Sequence, residues 1–398
     1  MKLFKESIMI YFTSGRVPSS AKLEAAMDAV IDQAIDAQRI VGCTVMVAQA
    51  GELMYQRAAG LADREQKKGM ALDAIFRLAS LTKPIVSLTA MRLIEQGYMT
   101  LDDDITRWLP NFRPCLEEGK PATIRVRHLL SHMSGLRYRY SAPADSLYHT
   151  LNVSDGIDYQ PGLSIEENLQ RLAGTPLQFE PGSGWRYSLG IDVLGEIMVR
   201  ATGKRLPDLV SHAVTEPLGM KDTLFTVRDE ARLTTVYTDD SPVPTAIGEN
   251  QRIPFGEGAA IFCPDRILKP DAWPCAGGGM AGTAPDFMQL LETIRRQGAP
   301  LITRDSFDYM TQEHVAAKYA TQGPGWGFGV GWALLADPDA AGSPQSAGTL
   351  SWSGAYGHTW FVDRQKELCV LAMTNTTPEG VNGQFPVMLR DAVYSGLA

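Results

Sequence analysis

The spacing of apolar side chains predicts two helices of different kinds in the first quarter of the chain. Over residues 20–36 the apolar positions form one stripe and acidic side chains occupy much of the rest, which is typical of a helix on the protein surface. The segment FRLASLTKPIVSLTAMRLIEQG, residues 76–97, differs because apolar residues cover most of its circumference. A helix that is apolar all round lies inside a protein, so this second helix is predicted to be buried and to end at Gly97.

Runs of β-branched and other apolar residues predict strands near both ends of the chain. Near the start, strands at about 42–48 and 52–59 flank a turn at Gly51 and form a hairpin. After Cys275 strand patterns return, and the turn RQKE between the last two indicates an antiparallel pair. The predicted C-terminal strands are GWGFGVGWALLA, TLSWSG, GHTWFVD and LCVLAMTN.

The middle of the chain, about residues 98–265, has a mostly helical pattern with long connections. Two of these, at about 138–163 and 233–258, are rich in Asp, Pro, Gly and Ser and are longer than usual. Long connections often carry lids or binding walls, so we expect these two to shape a binding pocket. A final helix is predicted over about 386–397.

Together these elements predict an α/β (α+β) fold in which one mainly antiparallel sheet is flanked by helices and a mostly helical lobe is inserted. The sheet lobe is predicted to be discontinuous, from residues 1–95 and 265–398, and the lobe of helices and loops to span residues 96–264. The sequence contains no repeat and no low-complexity segment.

The composition fits a globular protein and excludes several other classes. Of the 398 residues 44% are hydrophobic, and a net charge of −8 without any basic cluster argues against a nucleic-acid partner. Five scattered cysteines without a C-x-x-C pair favour a reducing compartment over a disulfide framework or a zinc site. The apolar run at residues 8–12 is too short for a signal peptide, and no stretch is long enough to span a membrane. We expect a cytoplasmic protein with no metal, no cofactor and no membrane partner, and its oligomeric state stays open.

Ser-x-x-Lys occurs twice, and the surrounding pattern separates the two copies. Ser19 and Lys22 open the amphipathic helix, where the serine is predicted to cap the helix. Ser80 and Lys83 open the buried helix, which places them side by side on one face at a partly dry position. Pro84 disfavours a helical conformation at the residue before it, so the first turn is predicted to be irregular or 3₁₀.

The surroundings of Ser80 and Lys83 favour chemistry over capping. Burial disfavours a charged ammonium, which would help Lys83 to accept a proton. The helix N-terminus favours the negative charge that develops on Ser80 Oγ as its proton leaves. Ser80 is therefore a candidate nucleophile, with Lys83 as its candidate base.

Two further segments carry candidate site residues. FEPGSGWRYSLG presents Tyr187 before an apolar helix, and LSWSGAYGHTWFVD presents Trp352, Ser353 and Gly354 along one strand. These segments, the FRLASLTK box, HLLSHMSGL and the Gly-rich CAGGGMAGTAPDF occur in the order and at the spacings of a known family. From about Met27 to its end, the chain resembles the family VIII carboxylesterases, whose fold is that of class C β-lactamases and penicillin-binding proteins.

The resemblance implies a serine hydrolase that cleaves small-molecule carboxylic esters with short to medium acyl chains. Its motifs imply that Ser80 attacks the acyl carbon and forms an acyl-enzyme. Lys83 and Tyr187 would take up the serine proton and return one to the leaving group, and water would then repeat the cycle. Because a phenol titrates near pH 10, Tyr187 can act as a base only if a nearby cation stabilises its phenolate, and Lys83 supplies that charge.

The resemblance also implies how the substrate is held. The strand Trp352-Ser353-Gly354 would line the acyl site. The backbone N–H groups of Ser80 and Ala355 would form the oxyanion hole, in which each donor typically stabilises the transition state by about 3 kcal/mol.

Two departures from the β-lactamase pattern favour esters over β-lactams. Where β-lactamases and peptidases of this fold have Tyr-x-Asn, Leu189 fills the third position, and where they have Lys-Thr-Gly, this chain has Trp352-Ser353-Gly354. The missing lysine and asparagine would have bound a carboxylate and an amide. Esterase therefore ranks first, and weak β-lactam hydrolysis stays open because the acylation residues are shared.

Other functions stay open or are excluded. An acyltransferase that uses the same acyl-enzyme, a β-lactamase or D-peptidase, and a degenerate module that only binds acyl groups or peptides remain alternatives. An α/β-hydrolase is excluded because Gly-x-Ser-x-Gly is missing. His128 and His132 lack the Glu of H-E-x-x-H, so we expect one or both to be structural, hydrogen-bonded histidines rather than metal ligands. Surface or core roles are expected for His149, His212, His314 and His358.

Overall fold

A computed structural model describes residues 21–117, 119–256 and 258–397 of the chain. The predicted cap at Ser19 and the N-terminal segment before it lie outside these residues. The strands are β1 Gly42–Gln49, β2 Glu52–Asp63, β3 Lys68–Gly69, β4 Phe76–Arg77, β5 Tyr237–Thr238, β6 Thr245–Ala246, β7 Gln251–Phe255, β8 Gly258–Phe262, β9 Ala281–Gly282, β10 Trp326–Phe328, β11 Ala333–Leu335, β12 Leu350–Gly354, β13 His358–Asp363, β14 Leu368–Thr374 and β15 Thr376–Thr377. The α-helices are α1 Ala21–Asp36, α2 Thr82–Glu95, α3 Val126–Leu130, α4 Leu147–Thr150, α5 Ile165–Ala173, α6 Gly190–Thr202, α7 Leu206–Val210, α8 Ala284–Arg295, α9 Arg304–Met310, α10 Pro338–Ala341, α11 Glu379–Asn382 and α12 Gln384–Leu397.

The largest sheet joins the two ends of the chain. Its strand order is β10-β11-β12-β13-β14-β1-β2-β3, and each neighbouring pair is antiparallel. The N-terminal and C-terminal strands meet at β1 and β14, which pair from Cys43 opposite Thr374 to Gln49 opposite Leu368. The predicted N-terminal hairpin and C-terminal strands therefore form one mainly antiparallel sheet, which confirms the expected fold class.

Helices cover both faces of this sheet, and β1 separates the two layers. Its residues Cys43, Val45 and Val47 pack with α1 and α12, whereas Met46 and Ala48 belong to the larger core that contains α2 and α8. Successive side chains of a strand point to opposite faces, so a strand covered on both sides is apolar throughout. The site described below lies on the α2 side.

The helix that was predicted to be buried is α2, and its ends follow the prediction. A 3₁₀ turn, Ala79–Leu81, precedes it, as the proline at position 84 indicated. The helix ends at Glu95, and Gly97 follows with φ +78°, a left-handed conformation that glycine adopts without a steric penalty. The terminal helix α12 is also confirmed.

One strand assignment was wrong, and one predicted loop contains regular structure. GWGFGVGWALLA forms two short antiparallel strands, β10 and β11, rather than one, because the chain reverses through Gly331 at φ +84°. The connection at 233–258 is not without regular structure, since it contains β5, β6 and β7.

Helix α8 was not predicted, although the sequence contains its signals. Thr283 is the N-cap and accepts a hydrogen bond from the Asp286 N–H at 3.3 Å, and a proline occupies the first turn. The division of the chain into two lobes stays a prediction. Among the residues described, no helix has both the length and the apolar character needed to cross a membrane.

The hairpin β7–β8 packs against the 3₁₀ turn Arg139–Ser141, and this contact requires a glycine, without a Cβ, at position 258. A Cβ at Gly258 would collide with the carbonyl oxygen of Tyr140, a backbone atom that cannot rotate away. We expect Gly258→Ala to lower the free energy of unfolding by about 1–3 kcal/mol in urea titrations. Gly248→Ala is the matched control, because its Cβ would meet only the Gln251 side chain at 3.7 Å. Equal stability of the two variants would contradict this packing.

Candidate active site

Ser80 lies in the middle of the 3₁₀ turn that leads into α2. The residue before it, Ala79, is buried with φ +46°, a conformation that residues with a Cβ rarely adopt. Such backbone strain occurs at functional sites where the surrounding structure holds it in place. Here His358 Nε2 donates a hydrogen bond to the carbonyl of Arg77 at 2.7 Å and so fixes the strand end just before the turn.

Lys83 is 1% exposed, yet its ammonium has several partners. It donates hydrogen bonds to Ser80 Oγ at 3.2 Å and to the carbonyl oxygen of Gly277 at 2.6 Å. It also stands 4.7 Å from the ring centre of Tyr187 and 5.3 Å from that of Tyr138. A carbonyl dipole and two ring faces replace part of the hydration that burial removes.

Tyr187 approaches the same serine from the start of the segment that leads into α6. Its hydroxyl donates to Ser80 Oγ at 2.6 Å. Three aromatic side chains fix its ring: the centre-to-centre distances are 4.8 Å to His132, 5.0 Å to Tyr138 and 5.2 Å to Trp352. The structure thus brings the three predicted catalytic candidates into direct contact.

The predicted substrate-binding strand is β12, which runs along the same site. Trp352 and Ser353 line the pocket beside the serine, and so does Ala355, just beyond the strand. Gly354 instead packs against the backbone, since a Cβ there would lie 2.5 Å from the carbonyl oxygen of Leu78. A glycine at this position lets the strand come close to the turn that carries Ser80.

The two amides predicted to form an oxyanion hole share one feature. In the described part of the chain, the N–H groups of Ser80 and Ala355 donate no hydrogen bond to another protein group. Backbone N–H groups near a protein interior are nearly always paired, so two such donors on one pocket wall are suited to an acceptor on a bound molecule.

The pocket in front of Ser80 is partly open to solvent. Its wall is largely aromatic, and both long connections that were expected to shape a pocket contribute to it. The first supplies Tyr138, Tyr140, Asp155 and Ile157, and the second supplies Phe255.

Behind Lys83, a buried carboxylate holds the Gly-rich loop in place. Asp192 Oδ1 accepts hydrogen bonds from the Gly277 N–H at 3.1 Å and from the thiol of Cys275 at 3.0 Å. Burial, together with the Asp192 carboxylate, raises the pKa of Cys275 well above its ordinary value, so the thiol stays protonated and donates. The carbonyl of Gly277 therefore points at Lys83 from a loop that Asp192 anchors.

Sequence reasoning did not single out Tyr138, Gly277 or Asp192. Tyr138 begins a long connection and Asp192 lies in the first turn of α6, positions where a polar residue usually has a local role. The signal for Gly277 was the run of three glycines, because a Cβ at that position would collide with Asp192 Oδ2.

The two histidines of HLLSH, His128 and His132, lie beside protein groups of the kind that surround structural histidines. His132 is fully buried, its Nδ1 lies 3.2 Å from Ser188 Oγ, and burial next to Lys83 holds its pKa well below the ordinary value. His128 Nδ1 accepts a hydrogen bond from the Arg125 N–H at 3.2 Å. Within residues 21–117, 119–256 and 258–397, no three His, Cys, Asp or Glu side chains are grouped so that they could hold a metal ion.

Known proteins resemble this chain over most of its length. The family model described as Beta-lactamase matches residues 27–393. Esterase EstB from Burkholderia gladioli is 47% identical to the chain over 379 residues, which cover 94% of the chain and 96% of EstB.

Solved structures show the same fold. EstCE1, described as a hydrolase with promiscuous acyltransferase activity, superposes with a TM-score of 0.91 at 44% identity, covering 94% of the chain and 98% of EstCE1. Simvastatin synthase LovD from Aspergillus terreus superposes with a TM-score of 0.75 at 22% identity, covering 94% of the chain and 99% of LovD, which supports the fold alone. These findings confirm the fold class and the resemblance to family VIII esterases that the sequence motifs indicated.

His358 links the site to the acid stability of the fold. Burial lowers its pKa to about 4, so between pH 6.5 and 4 the unfolded chain binds a proton at this residue that the folded chain does not bind. The free energy of unfolding therefore falls as the pH falls through this range, by up to about 3 kcal/mol for this residue. We expect His358→Gln to reduce that loss in urea titrations at pH 6.5 and pH 4. His212→Gln, at an exposed position, is the control that should keep the wild-type pH dependence.

Proposed function

Since the chain belongs to the β-lactamase family, we propose that it is a serine carboxylesterase that cleaves esters with short to medium acyl chains through an acyl-enzyme on Ser80. The observation that carries the proposal is that Ser80 Oγ lies within hydrogen-bond distance of both Lys83 Nζ, at 3.2 Å, and the Tyr187 hydroxyl, at 2.6 Å. A weakly acidic hydroxyl needs such neighbours to act as a nucleophile at neutral pH. The likeness to EstB supports the same activity.

In the acylation step, the Ser80 oxygen bonds to the ester carbonyl carbon while its proton passes to the Tyr187–Lys83 pair. The pair accepts this proton in the state in which Tyr187 is a phenolate and Lys83 an ammonium, because the ammonium stabilises the phenolate. The negative charge that forms on the carbonyl oxygen is placed against the N–H groups of Ser80 and Ala355. The intermediate then collapses, the bond to the alcohol breaks, and the pair returns its proton to the departing oxygen.

Deacylation repeats the sequence with water in place of serine. The pair takes a proton from water as the water oxygen bonds to the acyl carbon, and the same two amides hold the second oxyanion. When the bond to Ser80 breaks, the pair protonates Oγ and the carboxylic acid leaves. The cycle needs no group that the chain does not supply.

The pocket wall supports esters over anionic β-lactams and peptides. Trp352 stands where a lysine would bind a substrate carboxylate, and its indole packs against Tyr187 at 5.2 Å. The wall formed by the described residues contains no basic side chain. An anionic substrate would therefore lose its hydration without gaining a cationic partner. The bulk of Trp352 beside the nucleophile is the basis for proposing short to medium acyl chains.

Acyl transfer to an alcohol is the second candidate activity, and the likeness to EstCE1 favours it. The acyl-enzyme is the same, and an alcohol bound in the aromatic pocket would replace water in the second step.

We also infer a cytoplasmic location, because the five cysteines are all free. We further infer that the chain has two lobes, with boundaries near residues 95 and 265.

Three variants test the catalytic assignment. Ser80→Ala should abolish release of p-nitrophenol from p-nitrophenyl butyrate, and Tyr187→Phe should lower kcat by about 10²–10⁴-fold because it removes one proton acceptor but keeps the ring. Lys83→Met should also lower kcat. Lys22→Met, in the other Ser-x-x-Lys pair and on the surface, is the control that should keep the wild-type rate.

The folded state of each variant is checked by circular dichroism. A folded Ser80→Ala protein that keeps its rate would overturn the proposal.

The partition of the acyl-enzyme between water and alcohol is measured separately. With vinyl butyrate as acyl donor and increasing 1-butanol, butyl butyrate should form at the expense of butyric acid, since both products arise from one intermediate. Gas chromatography quantifies both products. A Ser80→Ala protein that still formed the ester would show that transfer bypasses the acyl-enzyme.

A further inference from the structure

The active-site pocket contains an ionisable group that the reaction itself does not use. In the part of the chain that the structure describes, Asp155 is the single charged residue on the pocket wall, and the other lining residues are aromatic, aliphatic, hydroxylic or glycine. The wall has no basic side chain to neutralise this carboxyl group. The pocket is therefore an aromatic site with one acidic group.

Asp155 is 5% exposed and its local partners leave its charge unbalanced. Its two oxygens accept the N–H groups of Arg139 at 2.6 Å and Tyr140 at 3.0 Å. The Arg139 guanidinium, which attracts the Asp155 charge, pairs with another buried carboxylate, Asp158, at 3.2 Å. One cation thus faces two carboxylates, and burial raises the pKa of Asp155 to about 7 because its charge is poorly compensated.

Aromatic rings lead from the nucleophile along the wall of the pocket. Tyr138 and Tyr187 present their rings to the Lys83 ammonium. Tyr140 stacks on Tyr138 with ring centres 5.3 Å apart, and Phe255 meets Tyr140 at 5.7 Å. The faces of such rings attract cations, most strongly where water is excluded.

The charge of Lys83 does not oppose a second cation in this pocket. Lys83 is buried below the serine, and the Asp192 carboxylate binds the Gly277 N–H on the loop whose carbonyl accepts from the ammonium, so a negative charge lies behind Lys83 on the side away from the pocket. The net charge of −8 over the whole chain also favours the approach of cations.

We propose that the pocket contains a subsite for a substituted ammonium group, formed by Asp155 with the rings of Tyr140 and Phe255. The preferred esters then carry a positive charge in their alcohol or acyl portion. This inference rests on the proposed esterase function and names its substrate class. A quaternary ammonium suits the subsite because it is large, weakly hydrated and attracted to both the carboxylate and the rings.

Isosteric ester pairs test the subsite. Butyrylcholine and 3,3-dimethylbutyl butyrate differ by nitrogen against carbon in the alcohol, and the ethyl esters of 4-(trimethylammonio)butyrate and 5,5-dimethylhexanoate differ likewise in the acyl group. In at least one pair, kcat/KM of the cationic ester should exceed that of its neutral partner by at least about tenfold. Ratios near one in both pairs would overturn the proposal.

Substitutions in the pocket show which residues cause the preference for cationic esters. Asp155→Asn should reduce the cation-to-neutral ratio by about tenfold, and Phe255→Leu should reduce it severalfold, because the first removes the charge and the second removes a ring. Asp145→Asn makes the same charge change at an exposed position of the same connection and should keep the wild-type ratio. A preference that survives in folded Asp155→Asn would show that the charge acts elsewhere.

A binding measurement separates this inference from the esterase proposal. Choline should inhibit hydrolysis of p-nitrophenyl butyrate competitively at a concentration at least about tenfold lower than 3,3-dimethylbutanol. If no ester is hydrolysed, the same two ligands are compared by quenching of tryptophan fluorescence, to which Trp352 in the pocket contributes. Equal binding of the two would overturn the subsite, whereas tighter binding of choline without turnover would leave the subsite standing and overturn the esterase assignment.

Discussion

The site depends on keeping a lysine ammonium inside the protein. Lys83 is almost completely buried, and a buried ammonium without partners would be strongly destabilising. The carbonyl of Gly277, the serine oxygen and the faces of two tyrosine rings replace its hydration. Each of these partners comes from a different segment, so the position of one charged atom ties the Gly-rich loop, α2 and the tyrosine segments together.

The rest of the fold brings those segments to the same place. The hairpin β1–β2 and the C-terminal strands form one sheet, and α2 packs in the core on one of its faces. The glycine at position 354 allows β12 to approach the turn before α2, and His358 on β13 holds the carbonyl of Arg77. The end of β12 that carries Trp352, with Ala355 just beyond it, is therefore fixed against the turn of Ser80 by backbone contacts as well as by side chains.

Much of this could be predicted from the sequence because it depends on local pattern. The apolar circumference of α2, the 3₁₀ turn before Pro84 and the antiparallel pair around RQKE are all short-range features. The candidate roles of Ser80 and Tyr187 were inferred from motifs, and the structure adds the contact between the two side chains. Asp192 and Gly277 could not be predicted, because their importance arises from segments that are far apart in the chain. Gly331 divided one predicted strand into two for a similar reason: periodicity does not show where a chain reverses.

The pairing of β1 with β14 has a consequence for how the protein folds during its synthesis. The Val41 N–H donates a hydrogen bond to the Thr376 hydroxyl, and these two residues are 335 positions apart in the sequence. The pairing of β1 with β14 therefore cannot form until the C-terminal segment has been synthesised. During synthesis on the ribosome, α2 and its lysine are made long before their final neighbours, and apolar surface stays exposed for that interval. A nascent chain of this kind has to avoid aggregation for most of its elongation and then closes its largest sheet in a late, long-range step.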